Sequence, residues 1–423
     1  MGRSRIGKGA PGHDTVRLAA IVGLAVVIAV GSASPLWAGL ASRTAAAGAS
    51  VPPTRSTTTV ADPHPRGFFE LPDSETILRV GGYLKLDLLL DPKPVGDADD
   101  FVAAGIPITV DQGANRGAST TLSIRQSRLN LVTRRPTRHG PLRLFYESDF
   151  LAAGGATNFH LRHASCQVGK LLIGRSFTTL EDVDAYPETL DIEGPTSVVS
   201  LRQLQVRWTV DVGRGNTLAV AAEIPDSDIT TPDHQATPVH RIPDWIVRAR
   251  WDRAFGHLQL GTVLRQLGYD DGRGRRDTAP GCGLVLSGLV KTHAKGQLQF
   301  QLGYGEGYAR YLNDLTGLGL DAVVRPTGEL EPLPVLAPVV AYLHRWSRVL
   351  RSSLVYSRLE VRNAPSQPAS AIHRTQYAAL NLIRKIGAFD AGVEALYGTH
   401  AQHDGRRADA FRVQLSAQVN LFD

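Results

Sequence analysis

Six arginines and three carboxylates stand at alternate positions in segments that otherwise carry apolar residues. The basic set is Arg128, Arg143, Arg162, Arg207, Arg248 and Arg250, and the acidic set is Glu147, Asp149 and Glu223. A guanidinium is planar, stays charged at every physiological pH and matches a carboxylate with two parallel hydrogen bonds. In a wall around water such groups attract anions, and interspersed carboxylates turn that attraction into a transverse field. The plainer reading of each arginine is an ion pair with a neighbouring carboxylate. A second acidic group, Glu181, Asp182, Asp184, Glu188, Asp191 and Glu193, follows the segment Leu171 to Phe177, in a stretch that Pro187 and Pro195 stiffen. From residue types alone this stretch is either a solvated surface loop or a loop folded inward against the arginines.

Covalent and metal chemistry find little support. Asp182 and Asp184 are too common a pair to imply a metal, and His160 and His163 lack a ligand-like cluster. Gly272-Arg273-Gly274 and Gly303-Tyr304-Gly305-Glu306-Gly307 resemble phosphate loops only superficially. Neither ends in Lys-Ser/Thr or leads into a helical pattern. Cys166 and Cys282 are widely separated and read as unpaired structural residues. No nucleophile or acid pair for a membrane hydrolase can be located, and no cofactor is expected.

The elements that must carry these side chains are strands. From Leu142 to Phe150, Leu142, Leu144, Tyr146 and Phe150 are apolar, whereas Arg143, Glu147 and Asp149 are charged. Successive side chains of a strand point to opposite faces, so the segment has one oily and one charged face. The pattern recurs from about Val80 to the last residues. Examples are Leu204, Val206 and Trp208 against Gln203, Gln205 and Arg207, and Trp245, Val247, Ala249 and Trp251 against Ile246, Arg248 and Arg250. Long polar loops (Ser227 to Ile242, Tyr269 to Pro280, Asn313 to Leu333, Arg362 to Arg374) alternate with short connections (Arg135 to Pro141, Asp252 to Gly256, Val290 to Lys295, Lys385 to Asp390). This asymmetry, with aromatic residues at the ends of apolar faces, predicts an all-β fold: a transmembrane antiparallel up-and-down β-barrel of about 16 strands. A soluble β-sandwich or tandem β-domains would also alternate, but charged residues on central strands disfavour them.

Composition agrees with this reading. The chain has 423 residues, 43% hydrophobic and 20% charged. Its mean hydropathy is −0.11, and no apolar run is long enough for a spanning helix. Only every second barrel residue meets lipid, so average hydropathy stays ordinary. Arg3, Arg5, Lys8 and Arg17 precede an apolar run, Leu18 to Val30, and then small residues. Residues 1–41 therefore read as a cleaved signal peptide, with cleavage near Ala38 or Ala41. Residues 42–75 read as a flexible Pro/Thr/Ala-rich periplasmic lead, and 76–423 as the barrel. Removing the signal lowers the formal charge from +6 to +3, too mild to suggest nucleic acid.

Several strings are similar to one family. Leu142-Arg143-Leu144-Phe145-Tyr146-Glu147-Ser148-Asp149-Phe150, Leu161-Arg162-His163-Ala164, Gly174-Arg175-Ser176-Phe177 and Arg202-Gln203 resemble the DcaP-like outer-membrane porins. The more specific matches are Pro187-Glu188-Thr189-Leu190-Asp191-Ile192-Glu193-Gly194-Pro195 and Tyr304-Gly305-Glu306-Gly307-Tyr308-Ala309-Arg310-Tyr311. The similarity runs from about Gly81 to the C-terminus. It implies a homotrimeric outer-membrane porin that contacts lipid and passes small anionic or zwitterionic solutes, carboxylates preferred, and it favours the inward reading of the acidic loop as a constriction. Two departures stand out: Phe422 is followed by Asp423, and no heptad pattern precedes the barrel. The alternative from another class is an exported structural or adhesive β-protein of the envelope.

Overall fold

The computed structural model describes residues 67–151, 158–231 and 237–421. The expected signal peptide, most of the expected lead and the terminal Phe422-Asp423 lie outside these residues. Among the described residues sixteen long strands pair antiparallel in a closed ring. They are β1 (Ile77–Asp91), β2 (Ser119–Ser123 continuing as Arg128–Arg135), β3 (Leu142–Asp149), β4 (His160–Val168), β5 (Leu171–Phe177), β6 (Arg202–Gly213), β7 (Asn216–Glu223), β8 (Asp244–Arg253), β9 (Gly256–Asp270), β10 (Arg276–His293), β11 (Gly296–Glu306), β12 (Pro334–Arg345), β13 (Leu350–Val361), β14 (Ile372–Ile386), β15 (Phe389–Gln402) and β16 (Arg407–Asn420). Each strand pairs with the next. β1 closes the ring on β16, from Tyr83 opposite Asn420 to Leu90 opposite Val413. Closure removes the unpaired sheet edge that lipid cannot solvate. Phe69–Glu70, in the expected lead, pairs with Ile77 and Leu78.

Connections at one end are tight. Arg214 and Gly215, both at positive φ, join β6 to β7, as the favoured two-residue hairpin turns require. Connections at the other end form eight loops: L1 (92–118), L2 (150–159), L3 (178–201), L4 (224–243), L5 (271–275), L6 (307–333), L7 (362–371) and L8 (403–406). L5 is much shorter than expected, because β9 and β10 extend beyond Tyr269 and Pro280.

The alternation is realised in space. Leu284 is 52% exposed while its neighbour Val285 is 1% exposed. Leu204, Val206, Trp245, Val247, Leu302 and Leu354 likewise point outward. Exposed Trp245, Tyr304 and Tyr397 lie toward the loop end, and Trp251, Trp346 and Phe389 toward the turn end, as interfacial girdles do. Cys166 and Cys282 are free thiols; each pairs across the sheet with an outward-parity residue.

The interior departs from the simple expectation of a polar inner face. β12 presents buried Val335, Ala337, Val339, Ala341 and Leu343 to the inside. Loops cover this wall. Phe101, Ala103 and Ile106 of L1 pack with Ala341, Val355, Tyr377, Leu396 and Ala410. Tyr308, Tyr311, Leu312 and Leu315 of L6 pack with Val263, Val285, Val335 and Leu359. Inward glycines serve as sockets for the loop side chains. A Cβ on Gly283 would lie 2.6 Å from the Tyr308 ring, one on Gly398 2.8 Å from Phe101, and one on Gly261 2.8 Å from Leu180. The barrel is thus dry and filled along one part of its inner wall. Gly283→Val should unseat Tyr308 and cost about 1–3 kcal/mol of overpacking. A lower urea midpoint for loss of the heat-modifiable barrel form would register it.

Candidate functional site

L3 leaves β5 at Phe177 and turns into the barrel. Its two ends are tied together by the Thr178 amide donating to the Leu201 carbonyl at 2.8 Å. The Thr179 amide donates to Glu223 Oε1 at 2.7 Å, and Gln203 donates to the other oxygen of Glu223. The loop then runs along the far wall. Asp182 accepts from His257 Nε2 at 2.9 Å, Ser287 Oγ at 2.7 Å and Arg250 Nη1 at 3.2 Å. Arg250 also pairs with Asp184 at 2.7 Å. Gln299 donates to the Tyr186 carbonyl at 2.8 Å. Glu188 receives Arg351 Nε at 2.8 and 2.9 Å. At the tip, the Leu190 and Asp191 amides donate to Glu394 Oε2 at 2.7 and 2.8 Å. Asp191 accepts the amides of Phe101 at 3.2 Å and of Gly194 at 3.0 Å. The return strand is held by Ser357, which accepts the Thr196 amide, and by Gln301, which bonds Ser197 and Val199. The acidic stretch is therefore an inward-folded loop.

Burial shapes the loop carboxyls. It raises Asp182, but His257, Arg250 and Ser287 outweigh it and hold that carboxyl below its ordinary range. Glu181 is buried with only the Leu201 amide as donor, and burial pushes it up to about 8. Burial raises Asp191 as well, against the pull of Arg412 and Lys85. Glu193 is raised by burial and by the neighbouring Asp100, Asp314 and Asp191.

The candidate lumen residues divide into two groups. Glu223 and Arg250 are anchors of L3. Glu147 and Asp149 are neutralised by Arg162, whose Nε reaches Glu147 at 3.0 Å and whose Nη1 reaches Asp149 at 2.6 Å. Arg128 stands 3.6 Å from Glu147 and 5.5 Å from the Tyr83 ring centroid. A bulge at this point lets Arg162 and His163 both turn inward, because Glu147 pairs with His163 while Ser148 pairs with Leu161. Arg207 and Arg248 have the inward parity and no ion-pair partner among the described residues; Arg248 Nε lacks even a hydrogen bond. Arg143 lies near the turn end, over Phe145 at 5.1 Å, opposite Arg134.

Several side chains that hold or face L3 escaped the sequence reading, among them His257, Ser287, Arg351, Glu394 and Arg202. Arg351 and Glu394 share parity with inward residues of their strands, so alternation could have flagged them. Arg202 could not be found that way. It shares parity with Leu204, Val206 and Trp208, yet it stands over the Phe177 ring at 5.5 Å, and that ring meets His163 edge-on at 4.4 Å.

Residues 96–421 match the family model described as DcaP outer membrane protein. The chain belongs to the DcaP outer-membrane protein family. DcaP of Acinetobacter baumannii, described as an outer membrane channel, superposes with a TM-score of 0.74 at 20% identity, covering 84% of this chain and 99% of that one. The anion-selective porin from Comamonas acidovorans gives 0.54 at 11% identity, covering 82% and 100%. OmpT of Vibrio cholerae gives 0.51 at 11%, covering 83% and 99%. No curated protein sequence matches the chain. These likenesses show the fold, and the DcaP family places the barrel in the outer membrane. In this DcaP-family barrel the tight turns face the periplasm, as in other outer-membrane barrels. Asp182→Asn leaves His257 and Arg250 facing a neutral amide and should cost about 3–5 kcal/mol, the range for breaking a buried pair from one side. Urea unfolding, with limited proteolysis to report release of L3, measures it.

Proposed function

We propose that this protein is a porin for passive diffusion of small hydrophilic solutes, favouring anionic carboxylates, and that it performs no catalysis. The observation that carries the reading is the pair Arg207 and Arg248: inward, charged and without carboxylate partners among the described residues. The carboxylates nearby are already committed. Arg162 and Arg128 occupy Glu147 and Asp149, and the wall cations Arg250 and Arg351 occupy Asp182, Asp184 and Glu188. The surplus along the passage is positive. A passing carboxylate exchanges water for guanidinium hydrogen bonds at a site that needs no rearrangement. Arg79, Arg134 and Arg143, with no ion pair among the described residues, extend the positive surface toward the periplasmic end.

The wider assignment follows the same reading. The mature chain starts after a signal cleaved near Ala38 or Ala41 and carries a lead before the barrel. The functional unit is a homotrimer in outer-membrane lipid, in line with the family resemblance and with OmpT, for which a trimer form is described.

Purified protein in a planar bilayer should conduct in discrete steps, with a zero-current potential of the anion-selective sign in a KCl gradient. Arg207→Glu and Arg248→Glu should each move that potential toward the cation side. Unchanged potentials in both variants, in folded protein, would remove these residues from selectivity. Faster liposome efflux of a small carboxylate than of an amine of equal size would extend the test to solutes.

A further inference from the structure

Arg202 occupies a position unlike any other arginine of the wall. It opens β6, where L3 returns to the barrel, and has neither a hydrogen-bond acceptor nor an ion-pair partner among the described residues. Groups from several elements face it. Arg128 comes from β2, Arg162 and His163 from β4, and Glu181, Tyr186 and Glu193 from L3. Its guanidinium lies 5.5 Å from the centre of the Phe177 ring, that ring meets His163 of β4 at 4.4 Å, and Glu181 of L3 accepts the amide of the adjoining Leu201 at 3.2 Å, so Arg202 stands between the β4 wall and the loop. The L3 carboxyls that face it, Glu181 and Glu193, form no ion pair with it. Glu181 is satisfied by the Leu201 amide and is also faced by Glu223 of β7. Glu193 lies among Asp191 of its own loop, Asp100 of L1 and Asp314 of L6.

We infer that Arg202 is a further selectivity-determining residue, with Glu181 and Glu193 as its switchable counter-charges. The inference rests on the porin reading above and deepens it. Its pH dependence has a definite sign. Burial pushes Glu181 up to about 8, with Arg202 drawing it only partly back, and Glu193 is raised by burial and by the three acids beside it. At pH 7 Glu181 is mostly protonated and Arg202 acts as an uncompensated cation. As pH rises through 8, Glu181 ionises, the local charge approaches zero and anion preference falls. Tyr186, raised by burial and by Glu181, stays neutral through this window.

The test uses the full exported protein, checked for the heat-modifiable barrel form, with zero-current potentials in a KCl gradient from pH 6 to pH 9. The wild-type anion-to-cation permeability ratio should fall between pH 7 and pH 9, because a counter-charge at a constriction weakens its preference for anions. Glu181→Gln should keep the pH 7 ratio and lose the fall. Arg202→Gln should show the lowered ratio already at pH 7 with little further change, and Arg202→Lys should retain the wild-type behaviour. A wild-type ratio in Arg202→Gln at pH 7, or a wild-type pH profile in Glu181→Gln, overturns the inference and leaves the porin reading standing. A wild-type channel with no anion preference at pH 7 overturns both. Glu181→Gln decides the matter alone if Arg202→Gln does not fold.

Discussion

A loop inside a barrel must satisfy its own backbone and charges, and this requirement organises the molecule. Nearly every anchor of L3 lies on the wall from β7 to β15. Glu394 takes two tip amides, Arg351 grips Glu188 with its guanidinium, and Arg250, His257 and Ser287 converge on Asp182. Charge-assisted bonds of this kind are short, directional and costly to break when buried. They fix the loop against one side of the barrel, with Lys85 and Gln414 also holding the Leu190 carbonyl at its tip.

The lumen thus has two unlike halves. On the filled side the barrel wall behaves as the core of a soluble protein. Between the polar anchors of L3 many of its inward residues are small or apolar, its glycines receive Tyr308, Phe101 and Leu180, and L1 and L6 pack over them. On the other side the strands carry arginines and the few carboxylates that hold some of them. An ion pair there contributes little field, because its charges cancel at short range. In the proposed porin, selectivity would come from the guanidiniums left over: Arg207, Arg248 and, where L3 returns to the wall, Arg202. The same anchors that hold the loop also pair its carboxylates Asp182, Asp184 and Glu188 with wall arginines.

Much of this was legible in the sequence wherever an inner face stayed polar. β3, β6 and β8 alternate over most of their length, with exceptions at Phe145, Ile246 and Arg202, and most of their inward residues are readable. β10 is hard to read from sequence because its inner face is Ala279, Gly281, Gly283 and Val285, which presents no polar alternation and serves as a socket for L6. β12 is apolar on both faces for the same reason. The bulge beside Arg162 shifts the parity of β4 midway, and Arg202 lies on the lipid-side parity of its strand. Pairings such as Glu188 with Arg351, 163 residues apart, are set by the closed ring and cannot be inferred from spacing. The acidic loop could be located from its composition and prolines, but its commitment to wall cations depends on contacts that only the folded chain brings together.

In the proposed porin L3 stays seated on the far wall during conduction. Replacing Cys166 and Cys282 with serine, introducing Glu188→Cys and Arg351→Cys, and bridging the two positions with a short bifunctional thiol reagent tests it directly by single-channel recording. The account predicts efficient bridging and an open channel with the conductance of the unbridged protein. Failure to bridge in folded protein, or loss of current on bridging, would contradict it.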